Sequence, residues 1–133
     1  IINVLTPGSE GSTFGGYPLA SVVGTFAIKV LIEDKLALNA KEQGAYLMSH
    51  LNSIMNDFPD KIKEVRGKGL LTAFEMHNEP KLDGHAVSVG LLNHGVYAKE
   101  THHTTVRIAP ALTINKNQID ALAEAIRTVI KDL

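Results

Sequence analysis

Cysteine is absent from the 133 residues. That removes disulfide frameworks and thiolate metal sites, and it fits a reducing compartment. An excess of charge of one sign is missing too, since 13 basic residues face 14 acidic ones for a formal charge of −1. Nothing in that balance draws the chain to nucleic acid or anionic lipid. No apolar run approaches the ~18 residues that a membrane span requires. There is no Walker A lysine after the glycines and no nucleophile elbow around Ser12 or Ser21, so neither nucleotide cradle nor hydrolytic serine is supported. His50, His77, His85 and His94 are scattered, and only His102 and His103 are neighbours. That spacing lacks the helical i, i+4 pair of a metal site. The opening Ile1-Ile2-Asn3-Val4 has none of the marks of a signal peptide, and the chain is expected to be the tail of a longer polypeptide.

What is present suffices for one ordinary globular core: 44% of residues are apolar and mean hydropathy is +0.04. The first informative stretch is Gly11-Ser12-Thr13-Phe14-Gly15-Gly16-Tyr17-Pro18. Its glycines let the backbone approach a ligand, and its two hydroxyls add donors, which suits an anion such as phosphate. A loop of small, solvated residues is the competing reading. Pro18 fits the first position of a helix, and Leu19, Val22, Val23, Phe26, Ala27, Val30 and Leu31 continue it at helical spacing. That helix is apolar on most of its surface and requires cover on most sides.

A second helix carries Ala40, Gly44, Leu47, Met48, Leu51, Ile54, Met55 and Phe58 on one stripe and ends before Pro59. Residues 62–66 and 70–76 read as strands around the turn Arg66-Gly67-Lys68-Gly69, where glycine supplies unusual dihedrals. That turn is a plain solvated one or, alternatively, a small phosphate nest. A polar loop over 78–83 leads to a short helix over 84–93 closed by Gly95. Strands follow over 96–100 and 105–109. Asn115 and Gln118 form a capping-box pattern ahead of an amphipathic closing helix. The order predicts an α/β (α+β) layer, with helices on one face of a small mixed sheet.

Glu75 and Glu100 could act as bases, although carboxylates on exposed strands are usually just solvated. Arg107 sits in an otherwise apolar strand. Pointed inward, it would need a carboxylate or phosphate partner; pointed outward, it would pair with a neighbouring acid. Both readings remain open at this level.

In order along the chain, Thr6–Ala20, Val65–Leu71, Ala98–His102 and Val106–Ile114 resemble the C-terminal portion of the class III pyridoxal-phosphate aminotransferases. The resemblance covers essentially the whole chain. Within the class, Ala98–His102 is most similar to the ornithine aminotransferase branch, while the clasp and the Arg107 strand are also similar to the acetylornithine and 4-aminobutyrate branches. It implies transfer of the δ-amino group of ornithine to 2-oxoglutarate, giving glutamate 5-semialdehyde and glutamate, with pyridoxal phosphate as electron sink. It also implies a homo-oligomer, at least a dimer, in the cytoplasm or, in a eukaryote, the mitochondrial matrix.

The resemblance further implies roles and limits. Residues 1–17 would end the large cofactor-binding domain, 18–34 would be the connecting helix, and 35–133 the small C-terminal domain of a fold type I enzyme. Ser12 and Thr13 would reach the phosphate of the partner subunit's cofactor, and Arg107 would bind a substrate carboxylate. The Schiff-base lysine belongs to a family segment upstream of residue 1, so no catalytic residue is assigned and the chain alone is expected to be inactive. Glu10 and Tyr17 depart from the histidine and asparagine usual in the family, which alters the charge and shape of the clasp. A non-catalytic α/β module that binds a ligand or dimerises is the alternative from another class.

Overall fold

The structure is a computed structural model that describes residues 6, 8–79 and 83–133. Residues 1–5, whose apolar run could finish a strand, and part of the loop expected at 78–83 fall outside the described residues. The chain divides between Lys35 and Leu36 into two compact units, and each has its own logic.

The first unit is the glycine-rich loop followed by α1 (Pro18–Glu33). Pro18 opens the helix where a missing N–H costs nothing. Ser21 and Thr25 turn their hydroxyls back onto the carbonyls one turn earlier, at 3.1 and 2.8 Å. The helix closes at Asp34, and Lys35 leaves it in the left-handed region at φ 51°. No residue of α1 is buried. Val22, Phe26 and Ile32 are each about two-thirds exposed or more (67%, 67% and 71%), so among the described residues this unit has no core of its own.

The second unit contains α2 (Leu36–Asp57), β1 (Ile62–Lys68), β2 (Leu71–Met76), α3 (Gly84–Asn93), β3 (Lys99–Thr101), β4 (Thr105–Ile108) and α4 (Lys116–Asp132). The four strands form one sheet in the order β1-β2-β4-β3. Every pairing in it is antiparallel, not mixed as the element order suggested. The reason lies in β4. The connection from β2 through α3 returns β3 in the direction of β2, but β4 hairpins back into the space between them and pairs antiparallel with both. The helices cover one face of this sheet, α2 against β1 and β2, α3 against β3 and β4, with α4 against both helices.

The core lies between those layers. Leu47, Leu51 and Ile54 of α2, Val87 and Leu91 of α3, and Ile119, Ile126 and Ile130 of α4 close over Phe74, Met76, Val106 and Ile108. The stripe on α2 is narrower than its sequence implied, because Met48, Met55 and Phe58 are only half-buried. Tyr46 and His50 instead face α4, where the Tyr46 hydroxyl donates to Asp120 at 2.7 Å. The helix ends follow local chemistry. Asn115 and Gln118 make the reciprocal capping box. Beyond α3, Gly95 N–H donates to Leu92 and Val96 N–H to Leu91, the two bonds of a Schellman motif, with Gly95 at φ 76°.

The two glycines of the β1–β2 hairpin do different jobs. Gly69 takes the left-handed turn position at φ 56°. Gly67 lies inside β1, where a Cβ would come within 2.6 Å of the Leu71 carbonyl and 2.7 Å of Thr72. The strand therefore runs two residues further than expected. A third glycine, Gly44 of α2, lets the helix rest against the hairpin, since a Cβ there would stand 2.3 Å from the Gly69 carbonyl. Gly44→Ala should destabilise the unit by about 1–3 kcal/mol through overpacking, outweighing the gain of up to ~1 kcal/mol in helix propensity. A urea melt checks it, and a midpoint at or above wild type would contradict the close approach.

Candidate functional site

One candidate surface is the loop ahead of α1. Gly8 and Gly16 adopt φ of 87° and 76°, and a Cβ on Gly11 or Gly16 would meet nothing within 4 Å. The loop folds on itself through Gly15 N–H to Ser12 O (3.3 Å) and Tyr17 N–H to Phe14 O (3.0 Å). Phe14 and Tyr17 meet edge to face at 6.3 Å. Among the described residues the hydroxyls of Ser12 and Thr13 have no protein partner, and both residues are exposed. Such a loop presents free donors and unobstructed backbone, which is the donor set a phosphate group uses. Glu10 is exposed on the same loop.

The other is the uncovered face of the sheet. Strand register places Arg66, Ala73, Arg107 and Lys99 side by side across all four strands. Directly paired residues share a face, and Arg107 is exposed while Val106 and Ile108 on either side of it are buried. The guanidinium therefore does not enter the core, and the inward reading is excluded. Thr105, which strand alternation puts on the same open face, is nonetheless buried at 7% exposure.

The cations of this row differ in what holds them. Arg66 donates to Glu75 at 2.8 Å and to Glu64 at 3.1 Å. The Glu75 carboxylate on the guanidinium raises the pKa of Arg66. Lys99 lies 3.5 Å from Glu100, which also faces His85 at 3.6 Å. Arg107 makes no ion pair among the described residues, so the outward reading with an acidic partner is not realised either. Small Ala73 opens a shallow cleft of about 390 Å³ between Arg66 and Arg107, lined also by Thr101, His102 and Thr105. An unpaired guanidinium beside a small-residue gap can take a carboxylate by two parallel bonds.

Ser12 and Thr13 lie in the first unit and Arg107 in the second. Around Arg107 the structure gathers Arg66, Thr101 and His102, none of which the sequence reading had joined to it. The available signal was strand register: once residues 66 and 73 pair, and 73 and 107, the arginines share a row. Glu100, considered as a base, is bound up with Lys99, and its carboxyl lies below its ordinary value through its own backbone N–H and then Lys99 and His85. Of the other histidines, His77 meets the Pro59 carbonyl at 3.1 Å and His94 that of Gly90 at 3.0 Å. Among the described residues no three His, Asp or Glu side chains converge, and no helix is long and apolar enough to cross a membrane.

Solved structures that share this architecture include aminotransferases. An ornithine aminotransferase from Plasmodium yoelii superposes with a TM-score of 0.87 at 35% identity, covering 99% of this chain and 34% of that one. An acetylornithine aminotransferase from Elizabethkingia anophelis gives 0.85 at 35% identity, covering 100% and 35%. By sequence, the ornithine aminotransferase of Staphylococcus carnosus is 43% identical over 129 residues, 97% of this chain and 31% of the relative. The family model described as Aminotransferase class-III matches residues 1–130, and the chain belongs to that family. It spans about a third of the length of these relatives.

Glu75 ties the open face together, bonding Lys63 at 3.0 Å and Arg66 at 2.8 Å. The Lys63 bond first and the Arg66 bond second hold its pKa below the ordinary value of 4.5. A depressed carboxylate stabilises the fold above its unfolded pKa, and that contribution disappears as pH falls through the folded value. Glu75→Gln should therefore lose less stability than wild type on acidification below about pH 4.5. Denaturant midpoints measured down that pH range test it, and parallel profiles for the two proteins would refute it.

Proposed function

We propose that this chain forms part of a pyridoxal-phosphate-dependent ornithine aminotransferase, which moves the δ-amino group of ornithine to 2-oxoglutarate. In this reading residues 1–17 end the large domain, 18–34 connect, and 35–133 are the small C-terminal domain. The observation that carries it is the unpaired Arg107 on the open sheet face, in a strand and family register where a substrate carboxylate would be held. The relatives named above lend it their chemistry, ornithine in two cases and acetylornithine in one.

When bound, pyridoxal phosphate supplies the electron sink for amino-group transfer. The chain's own part is binding and orientation. Ser12 and Thr13 would donate their hydroxyls to the phosphate of the cofactor in the partner subunit of a homodimer. Arg107 would grip a carboxylate with two N–H donors, fixing the substrate's direction as well as its position. The lysine that joins the cofactor is assigned to a segment ahead of residue 1, and Lys29, Lys35, Lys68 and Lys99 are not its substitutes. The chain alone would then be inactive. The cytoplasm, or the mitochondrial matrix in a eukaryote, is the proposed compartment. Acetylornithine or 4-aminobutyrate as amino donor is the second reading; the Elizabethkingia anophelis structure supports acetylornithine alone. Comparing kcat/KM for ornithine, acetylornithine and 4-aminobutyrate decides between them.

Two substitutions in the complete enzyme test the roles. Thr13→Ala should weaken cofactor retention by about 1.5–3 kcal/mol, the worth of a hydrogen bond to a charged group, with less effect on turnover at saturating cofactor. Equal cofactor affinity in the variant would remove Thr13 from the site. Arg107→Lys should reduce kcat/KM for both amino donor and 2-oxoglutarate by roughly 10²-fold, because a point charge cannot reproduce the planar fork. An exposed sheet position on which no substrate depends would give normal kinetics instead.

A further inference from the structure

The turn between β3 and β4 is held in a costly conformation beside Arg107. His102 and His103 take φ of 53° and 63°, consecutive left-handed positions in which only glycine sits without penalty. The tip is pinned from two sides. Gly84 N–H at the start of α3 donates to the His103 carbonyl at 2.7 Å, and Met76 N–H at the end of β2 donates to the Thr104 carbonyl at 2.9 Å. Those anchors fix the backbone and so fix where each imidazole is carried. His102 is exposed and lines the Arg107 cleft, whereas His103 is exposed and does not.

That difference matters because of what the cleft lacks. Its other guanidinium, Arg66, is drawn through Nη1 to Glu64 and Glu75. Thr105 is buried and Thr101 half-buried. A carboxylate gripped by Arg107 retains lone pairs that need further donors, and the exposed side chain on the rim able to give one with no carboxylate already on it is His102. Resting on the proposal that Arg107 receives a substrate carboxylate, we infer that His102 is a specificity-determining residue, donating an imidazole N–H to the anionic group that Arg107 holds. The left-handed backbone is the cost of carrying that imidazole to the rim.

The test uses His102→Gly, His103→Gly, His102→Asn and Arg107→Lys in the complete enzyme, with KM and kcat for 2-oxoglutarate and for the amino donor, and urea midpoints. Either glycine relieves the same backbone strain, so both single variants should unfold at higher urea than wild type. Only His102→Gly should raise KM for the carboxylate that Arg107 holds, by about three- to tenfold, the effect of one hydrogen bond, with kcat little changed. His102→Asn tolerates the left-handed backbone, keeps an N–H donor and should recover part of that KM. Equal KM values for His102→Gly and His103→Gly, alongside a large loss in Arg107→Lys, would overturn the role of His102 alone. Normal kinetics in Arg107→Lys would instead overturn the reading of the cleft on which it stands.

Discussion

Every side chain on the open face of the sheet is there because Phe74, Val106 and Ile108 are on the other one. Strand side chains alternate with a period of two, so burying those three under the helices turns Ala73 and Arg107 outward. A one-residue slip of β4 against β2 would exchange the faces and drive a guanidinium into the apolar core. The penalty for burying an unpaired charge makes that slip far costlier than any loss of ladder bonds. The packing of α2, α3 and α4 on one side is thus what keeps Arg66, Arg107 and Lys99 in a single solvent-facing row.

Within that row, charge is distributed unevenly. Carboxylates take up Arg66 and Lys99, and Arg107 stands without one among the described residues. Surface ion pairs contribute little to stability, yet here they have a second effect, since each one partly offsets a cation's pull on an incoming anion. Glu75 does this most fully, holding Lys63 and Arg66 together. Close backbone contacts support the arrangement from behind: Gly44 against Gly69 sets the height of the β1–β2 turn, and Gly84 against His103 sets that of the β3–β4 turn.

The loop and α1 follow a different physics. Their hydrogen bonds are local, a turn, a self-closed loop and helical back-bonds, and α1 buries none of its side chains. Helix formation there rests on sequence-local features, Pro18 at the first position and alternating small and apolar residues, with no side chain of the helix buried. A loop stabilised only locally keeps its hydroxyls available, as those of Ser12 and Thr13 are.

The sequence by itself determined the helices, their ends and the family. The capping box at Asn115, Pro18 at the start of α1 and Gly95 after α3 act within a few residues, and the structure realises each as expected. The outward direction of Arg107, its lack of an acidic partner and the antiparallel sheet were not legible there. Each depends on which strands lie beside β4, and that is settled by burial across segments more than thirty residues apart, such as Ala73 against Arg107. The roles of Gly67 and Gly44 were equally hidden, because they serve contacts with Thr72 and Gly69 that only the folded layer brings near. Local chemistry writes itself into neighbouring residues; pairing register and close approach are properties of the whole core, and only the tertiary structure decided them.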